Sequence, residues 1–305
     1  MKKLLGGKAL QLHVPEFDQV AITLVGCGGT GSHIASGLVA IGQALEEKGI
    51  RIDTLFIDPD TVEERNVGRQ LFSLADVGRP KAVVLAERLN LAFGSRVGAA
   101  VREVDSLDNF RVEGALNVVV GAVDNVAARK MIYKQVANPE IRMAKIHRNR
   151  LWWLDAGNDT WSGQVGIGNC VKPALFRGMV DGLGMTTVLP APSVVWPDLL
   201  RSRRARHPST GSGGKATLRQ AEGASCAELA ATGEQGLMVN RMTAAWVCAL
   251  LYDFLVVREL RWFALAFDLA WGGTRAYTLD AATLAEVTGI EERKLFEAPR
   301  KRRRR

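Results

Sequence analysis

A glycine-rich run near the start of the chain has the spacing of a phosphate-binding turn. Gly26, Gly28, Gly29 and Gly31 form the pattern G-x-G-G-x-G between a β-branched apolar run and an amphipathic stretch. Glycines allow a tight turn and a close approach to an anion, and the helix that follows offers unpaired N–H groups and a positive dipole. Dinucleotide enzymes, and turns that only pack a helix on a sheet, share this pattern. We therefore predict nucleotide binding from the motif in its strand–turn–helix context.

Charged residues after the second apolar run indicate which nucleotide binds. Asp58 directly follows that run and could accept hydrogen bonds from ribose hydroxyls, which suits NAD and ATP equally. Arg69 and Lys81 come next, and a triphosphate attacked at its α-phosphate requires additional cations. The two cations favour ATP, although each taken alone is compatible with an ordinary surface residue.

Asp124 and Asn125 follow a later apolar run, at the carboxyl edge of the predicted sheet. Ligands of open α/β sheets gather at this edge, where a carboxylate can hold Mg²⁺ against phosphates. The alternative is structural, because an aspartate at this position can also cap the following helix. The residues alone leave both roles for Asp124 open.

Cys226 is the predicted nucleophile. Ser225 and Glu228 have the spacing of a capping box, which makes Cys226 the first helical residue. The helix dipole at that position favours the thiolate, and attack on an acyl-adenylate would form a thioester. The alternative is that Cys226 takes no part in the reaction.

The other three cysteines have weaker claims to chemistry. Cys27 lies within the glycine turn and Cys248 within an apolar stretch, so both are predicted to be structural, and Cys170 is the reserve nucleophile. The four cysteines form no C-x-x-C pair, so no structural zinc and no disulfide framework are expected. A reducing, cytoplasmic location fits this usage.

The apolar runs predict an α/β fold with a Rossmann-like, open, mostly parallel sheet, helices on both faces and a C-terminal antiparallel extension. A first βαβ unit consists of a strand at Gln19–Val25, a helix at Ser32–Lys48 and a strand at Ile52–Ile57. Further elements are predicted as a helix at Pro80–Phe93, a strand at Arg96–Val104, a strand at Leu116–Val120, a helix at Asn125–Val136, a strand that ends at Leu151–Leu154, a strand at Gln164–Ile167, a helix at Leu237–Leu260 and a hairpin at Trp262–Leu279.

We predict a single domain over residues 1–297, with a long mobile crossing loop at 171–222 and a basic disordered tail at 298–305. The tail and the arginines of 201–206 together supply ten positive charges, and removing them from the formal +8 leaves about −2 on the rest of the chain. Such blocks are often solvated and disordered, and the sharper alternative is contact with an acidic partner or nucleic acid. No run of about 18 apolar residues occurs, so no membrane span is expected.

Six segments in the same order resemble the ThiF/MoeB/HesA superfamily of ubiquitin-activating-type adenylyltransferases. They are LVGCGGTGS, IDPDTVEERNVGRQ, GRPKA, GAVDN, LDAGND…SGQV and SCAE before an apolar helix, and they span about residues 20–260. Among bacterial subgroups the chain is most similar to the ThiF-like proteins of PRTRC systems. It differs from many relatives in lacking paired C-x-x-C zinc ligands.

The resemblance implies ATP- and Mg²⁺-dependent adenylation of the terminal glycine carboxylate of a ubiquitin-like protein, in a homodimer, with thioester formation on Cys226 and a conjugating-enzyme-like acceptor. Three alternatives stay open: adenylation for a sulfur-carrier protein or tRNA without a thioester, an NAD-dependent oxidoreductase, and a silent scaffold subunit. The implied nucleotide contacts are Gly26, Gly28, Gly29, Gly31, Asp58, Asp60, Asn66, Arg69, Gln70, Lys81, Asp124 and Asn125, with Asp124 also the Mg²⁺ ligand.

Overall fold

The computed structural model of the chain describes residues 9–104, 112–137, 150–201 and 236–297. Its strands are β1 (Gln11–Leu12), β2 (Gln19–Val25), β3 (Arg51–Ile57), β4 (Val97–Ala100), β5 (Leu116–Gly121), β6 (Leu151–Asn158), β7 (Ser162–Gly168), β8 (Met185–Thr186), β9 (Trp262–Asp268) and β10 (Gly273–Thr278). Its α-helices are α1 (Gly29–Glu46), α2 (Lys81–Phe93), α3 (Val126–Ala137), α4 (Pro192–Val195), α5 (Leu237–Tyr252), α6 (Ala281–Thr288) and α7 (Glu292–Phe296).

Eight of these strands form one mixed sheet in the order β4-β3-β2-β5-β6-β7-β9-β10. The five strands β4, β3, β2, β5 and β6 run parallel to one another. The remaining pairs, β6 with β7, β7 with β9 and β9 with β10, are antiparallel. This confirms the predicted fold class. The chain runs outward from β2 through β3 to β4 and then returns to β5 on the other side of β2. The crevice at the carboxyl ends of β2 and β5 is therefore a topological switch point, where open α/β sheets bind ligands.

Helices cover both faces of the sheet, because each buried strand alternates its side chains between two apolar layers. Val20, Ile22 and Leu24 of β2 belong to the core that includes α1, α2 and α5. Val25 of the same strand belongs to a second core with α3, through Ile132. Burial on both faces fixes the register of β2, and with it the position of the glycine turn that follows.

Two predicted boundaries differ from the observed ones in ways that matter for the site. Helix α1 begins at Gly29 rather than Ser32, so the last two glycines of the motif lie inside the helix. Leu151–Leu154 begins strand β6 instead of ending a strand, and the strand continues to Asn158. The prediction placed the end of the strand at Leu154 because the residues that follow, Asp155, Gly157 and Asn158 among them, are of types that strands generally disfavour.

The predicted crossing loop, 171–222, is described only as far as residue 201. That part contains short elements: a 3₁₀ turn at Pro173–Leu175, strand β8, helix α4 and a 3₁₀ turn at Pro197–Leu200. Strand β8 pairs in parallel with β1, which lies near the start of the given sequence. Residues 202–222 and the basic tail lie outside the described residues.

Helix α5 continues through a π-helical turn at Asp253–Val257. The combined helix Leu237–Val257 is long and apolar enough to cross a membrane by length and composition alone, and 56% of its most apolar window is buried. It packs against α1, and Val247, Leu250 and Leu251 are fully buried in the main core. This is the behaviour of a core helix, so the helix is weak evidence for a span.

Candidate active site

The glycine turn joins β2 to α1 at the switch point. A Cβ on Gly26 would lie 2.5 Å from the carbonyl oxygen of Ala122, and Gly26 has a φ of +92°. A Cβ on Gly31 would lie 1.9 Å from the carbonyl oxygen of Gly26. Gly28 differs, because a Cβ there would meet nothing within 4 Å. Packing therefore requires Gly26 and Gly31, whereas the space beside Gly28 is open to a ligand.

The amino end of α1 is left free to meet an anion. Gly28 is its N-cap residue, no side chain caps the helix, and its first turn contains no acidic residue. Gly28 also accepts the first intrahelical bond, from the N–H of Ser32 at 2.9 Å. The unpaired N–H groups and the helix dipole together attract negative charge to this point.

Asp58 holds the glycine turn from the end of β3. It is 5% exposed, and its carboxylate accepts hydrogen bonds from the backbone N–H of Cys27 at 2.5 Å and of Asp60 at 2.8 Å. Burial raises the pKa of Asp58, and the two backbone bonds and the charge of Lys81 partly offset that rise. A carboxylate offers about four acceptor positions, so two remain for a ligand's hydroxyls.

Lys81 stands at the first position of α2 with its side chain 8% exposed. Its Nζ donates to Oδ2 of Asp60 at 2.9 Å, and its positive charge also acts on Asp58 and Cys27. A buried ammonium with one exposed partner can exchange that partner for a phosphate oxygen. Lys81 and Asp60, both predicted site residues, therefore lie beside the glycine turn.

The loop after Asp60 brings further predicted residues to α1. Asn66 is buried and supports the loop, because its Oδ1 accepts from the N–H of Glu63 at 2.9 Å. The N–H of Leu71 donates to Oγ of Ser32 in the first turn of α1, at 3.2 Å. Arg69 and Gln70, which precede Leu71, line a cavity beside that turn. Asn66 thus shapes the loop, and Arg69 is the loop's predicted cation on the α1 side.

Asp124 and Asn125 have different surroundings. The Oδ1 of Asn125 accepts from the N–H of Ala128 at 2.7 Å, so Asn125 caps α3. Asp124 is exposed and lies two residues after Ala122, which packs against Gly26. The capping role considered for Asp124 thus belongs to its neighbour, and the amide oxygen of Asn125, a predicted nucleotide contact, serves the helix.

The residues at this end of the sheet suit a Mg²⁺ ion that is held by few protein ligands. No group of three or more His, Cys, Asp or Glu side chains within the described residues could hold a metal ion. Mg²⁺ is commonly held by one or two carboxylates together with substrate phosphates. The exposed carboxylate of Asp124, at the carboxyl end of β5, fits that type of site.

Cys226 lies outside the described residues, and the other three cysteines are wholly or partly buried. Cys27 and Cys170 are fully buried. Burial raises the pKa of the Cys27 thiol well above its usual range, with the charge of Asp58 adding to the effect. Burial also raises the pKa of Cys248 to about 11. The thiols of Cys27 and Cys248 therefore stay protonated near neutral pH, which agrees with the structural roles predicted for these two cysteines.

Sequence reasoning missed a polar network that fastens the turn to the rest of the sheet. Asn158, at the end of β6, donates from Nδ2 to Oγ1 of Thr30 at 3.0 Å and also to Oδ1 of Asn240. The hydroxyl of Thr30 donates to the same Asn240 oxygen at 2.9 Å. Asn240 is 5% exposed in the first turn of α5. The available signal was a lone asparagine within an apolar helix, which requires a buried partner.

A buried ion pair was also missed. Nε of Arg129, on α3, lies 3.2 Å from Oδ1 of Asp155, which is 1% exposed on β6. Burial raises the pKa of Asp155, and the charge and hydrogen bond of Arg129 oppose that shift. A Cβ on Gly157 would lie 3.4 Å from the guanidinium, so the pair borders the carboxyl end of β6.

A family model described as the ThiF family matches residues 12–177. The chain belongs to the ThiF family. The matched region runs from β1 to the 3₁₀ turn after β7 and includes the glycine turn, Asp58, Arg69, Lys81 and Asp124. Assignment of this ThiF-family chain to the PRTRC subgroup stays a prediction.

The individual proteins that this ThiF-family chain resembles share only part of its sequence or its fold. It is 32% identical over 120 residues to the NEDD8-activating enzyme E1 catalytic subunit of Arabidopsis thaliana, which covers 38% of this chain and 24% of that protein. Its fold matches that of PaaA with a TM-score of 0.50 and 17% identity, over 86% of this chain and 74% of the other. E. coli MccB matches with a TM-score of 0.47 and 17% identity, over 85% of this chain and 62% of the other. The chain thus spans about a quarter of its curated relative and under two thirds of MccB.

Proposed function

We propose that this protein uses ATP and Mg²⁺ to adenylate the C-terminal glycine carboxylate of a small ubiquitin-like protein. The relative in Arabidopsis is a NEDD8-activating enzyme subunit, which supports a ubiquitin-like substrate. The observation that carries the proposal is the position of Lys81: a buried ammonium beside Asp58, which is itself bonded to the glycine turn. A dinucleotide does not require a buried cation there, whereas transfer to an α-phosphate does.

The proposed reaction is a displacement at phosphorus. A carboxylate oxygen of the terminal glycine bonds to the α-phosphorus of ATP, the bond from that phosphorus to the oxygen bridging to the β-phosphate breaks, and pyrophosphate leaves. The glycine turn and the amino end of α1 hold the phosphates, and Asp58 accepts the ribose hydroxyls. Lys81 and Arg69 stabilise the charge that develops on the departing oxygen.

Asp124 is the residue that would hold Mg²⁺, which when bound neutralises phosphate charge and draws electron density from the α-phosphorus. The carboxylate is free for this purpose because Asn125 caps α3 in its place. Asp155 is excluded as a ligand by its burial and its pairing with Arg129.

A second step would transfer the acyl group to Cys226. Its thiolate attacks the carbonyl carbon of the acyl-adenylate, the bond to the AMP oxygen breaks, and a thioester and AMP result. Cys27 and Cys170 are buried, and Cys248 is half-buried with a pKa raised to about 11. Cys226 is therefore the candidate thiol. We further propose that the protein is a cytoplasmic homodimer and that the thioester passes to a conjugating-enzyme-like acceptor. The basic tail would contact an acidic partner or nucleic acid.

The test is ATP–pyrophosphate exchange with purified protein and a panel of ubiquitin-fold proteins that end in glycine. Lys81→Met keeps the length of the side chain but removes the charge, and Asp60, whose side chain is 64% exposed, tolerates the loss. We expect this variant to exchange about a hundredfold more slowly than the wild type. Arg51→Gln is the matched control, because Arg51 is an exposed cation at the amino end of β3, and the site lies at the carboxyl ends of the parallel strands. Exchange with none of the panel, together with tight NAD binding, would refute the proposal.

A further inference from the structure

The ion pair between Arg129 and Asp155 is buried on both sides. Nε of Arg129 donates to both carboxylate oxygens of Asp155, at 3.2 and 3.3 Å, and the two side chains are 11% and 1% exposed. In every other ion pair within the described residues, at least one side chain is 41% exposed or more. Neither Arg129 nor Asp155 has a role in the reaction proposed above, so the pair requires a separate explanation.

A buried ion pair contributes little to stability by itself. The loss of water around both ions opposes their attraction, and replacing such a pair with apolar residues of similar volume is often neutral or stabilising. Burial raises the pKa of Asp155 in spite of the opposing charge and hydrogen bond of Arg129, so the pair does not fully offset the loss of water around that carboxylate. What the pair does supply is geometry, because bonds to both oxygens of one carboxylate fix the direction of the guanidinium.

The pair fastens the first turn of α3 to the sheet. Arg129 is the fourth residue of α3, and Asp155 lies opposite Gly121, the last residue of β5. The buried residues of α3 are Ile132 and Val136, about one and two turns further along the helix. The first turn, all of which the structure describes, has no buried apolar side chain, so the ion pair is its main attachment.

The pair has little room to shift. A Cβ on Gly121 would lie 3.2 Å from Oδ1 of Asp155, and a Cβ on Gly157 would lie 3.4 Å from a terminal nitrogen of Arg129. The two side chains therefore lie directly against the backbones of β5 and β6. Because a shift of α3 along the sheet would break the bonds between them, the start of α3 is tied to one position.

The position of Asp124 depends on this attachment, because Asp124 lies in the short link between β5 and α3. The N–H of Ala122 donates to the carbonyl oxygen of Val25 at 2.8 Å, which fixes the strand end of the link. Asn125 fixes the helix end, since its Oδ1 accepts from the N–H of Ala128 at 2.7 Å. Within the described residues the Asp124 side chain forms no hydrogen bond or ion pair, so its place follows from where α3 begins.

We propose that Arg129 is a positioning residue for magnesium binding: its pairing with Asp155 holds the first turn of α3 to the sheet, and thereby holds the carboxylate of Asp124 where it can bind Mg²⁺ together with ATP. The inference rests on the proposed adenylation and on the role proposed there for Asp124. A charged pair suits this task better than an apolar contact, because its strength depends on orientation, whereas apolar contacts are non-directional. Arg129 and Asp155 thus act on the metal through Asp124 and are not its ligands.

The experiment measures binding of ATP to the full-length protein by isothermal titration calorimetry, once with saturating Mg²⁺ and once with EDTA. The ratio of the two affinities is the gain due to Mg²⁺. The test variant combines Arg129→Met with Asp155→Leu, because removing one partner alone would leave a buried charge unpaired. We expect this double variant to unfold at a urea concentration close to that of the wild type, and to lose about tenfold or more of the gain. Its ATP affinity in EDTA should match that of the wild type.

Arg129→Lys and a distant ion pair provide the comparisons. Lysine keeps the charge beside Asp155 but loses the planar fork of donors, so this variant should lose part of the gain, but less than the double variant loses. The control combines Arg275→Gln with Glu286→Gln, which removes an exposed pair between β10 and α6, and it should leave both affinities unchanged. A normal gain in the folded double variant would overturn the inference. If the double variant does not fold, a normal gain in Arg129→Lys would overturn it.

Asp124→Ala decides whether the pair acts through Asp124. This variant should lose the gain by itself, and adding the Arg129 and Asp155 substitutions to it should cause no further loss. A further loss in the combined variant, or a normal gain in Asp124→Ala alone, would contradict the proposed positioning. If the pair behaves as expected while no ubiquitin-fold protein supports pyrophosphate exchange, the positioning role stands and the proposed adenylation of such proteins fails.

Discussion

The backbone N–H of Cys27 donates to Oδ2 of Asp58 at 2.5 Å, so a carboxylate at the end of one strand holds the turn at the end of its neighbour. The second oxygen of Asp58 accepts from the N–H of Asp60 at 2.8 Å. One side chain thereby fixes the glycine turn and the start of the loop that carries the predicted cations. Its roles in folding and in ribose binding are coupled, because the same carboxylate serves both.

Asp58→Ala tests this coupling. The substitution leaves two backbone N–H groups without acceptors, so we expect the free energy of unfolding in urea to fall by about 2 kcal/mol. Nucleotide binding should be lost with it. Asp53→Ala is the matched control, since Asp53 is exposed on β3, the strand that Asp58 follows, and its carboxylate accepts a hydrogen bond from the half-buried Gln19 side chain. Equal stabilities for the two variants would show that the contact with Cys27 contributes nothing.

The predicted fold followed from the apolar runs, and the predicted site followed from them only in part. Strand β2 was predicted with its observed ends because six apolar or β-branched residues follow Gln19 and are bounded by a turn signal. Pairs such as Thr30 with Asn240, 210 residues apart, could not be predicted, because each residue is unremarkable until the fold brings it to its partner. The role of Asn125 was also hidden, since either of two adjacent polar residues can cap a helix.

Gly28 and Gly31 separate ligand binding from packing within one motif. Gly31→Ala places a Cβ 1.9 Å from the Gly26 carbonyl oxygen, so the backbone must move, and we expect a loss of at least about 2 kcal/mol in unfolding free energy. Gly28→Ala meets only open space and should keep stability within about 0.5 kcal/mol of the wild type. Its added methyl group should weaken ATP binding, measured by calorimetry. Unchanged ATP affinity in folded Gly28→Ala would place the phosphates elsewhere.

Asp124 and Asn125 form a second matched pair. Asn125→Ala removes the bond to the N–H of Ala128, so we expect a loss of about 1 kcal/mol in unfolding free energy and little change in the Mg²⁺ requirement. Asp124→Ala should leave stability unchanged and should raise the Mg²⁺ concentration needed for half-maximal pyrophosphate exchange by about tenfold or more. A variant of Asp124 with a normal Mg²⁺ dependence would assign the metal to another residue.

Asp76 gives a pH dependence whose sign is fixed by its contacts. Burial opposes its ionisation, but hydrogen bonds from the backbone and hydroxyl of Ser73 and from Arg88 outweigh burial and lower its pKa below 3.8. The stabilisation is therefore present above pH 3.8 and is lost as the pH falls through the lowered pKa of the folded state. We expect Asp76→Asn to be less stable than the wild type in urea at pH 7, with the difference shrinking below about pH 4. A difference that stays constant to pH 3 would contradict this account.

The four cysteines should react with iodoacetamide at very different rates in the folded protein. Cys27 and Cys170 are fully buried, so the reagent cannot reach them in the folded protein. Burial raises the pKa of Cys248 to about 11, so Cys248 holds little thiolate near neutral pH. Cys226, predicted at a helix amino terminus, should be alkylated first, and the product can be located by peptide mass spectrometry. Labelled protein should still carry out pyrophosphate exchange but should form no thioester with the ubiquitin-like substrate, because the acyl-adenylate is made without the thiol. Faster labelling of Cys170 than of Cys226 would transfer the nucleophile's role to Cys170.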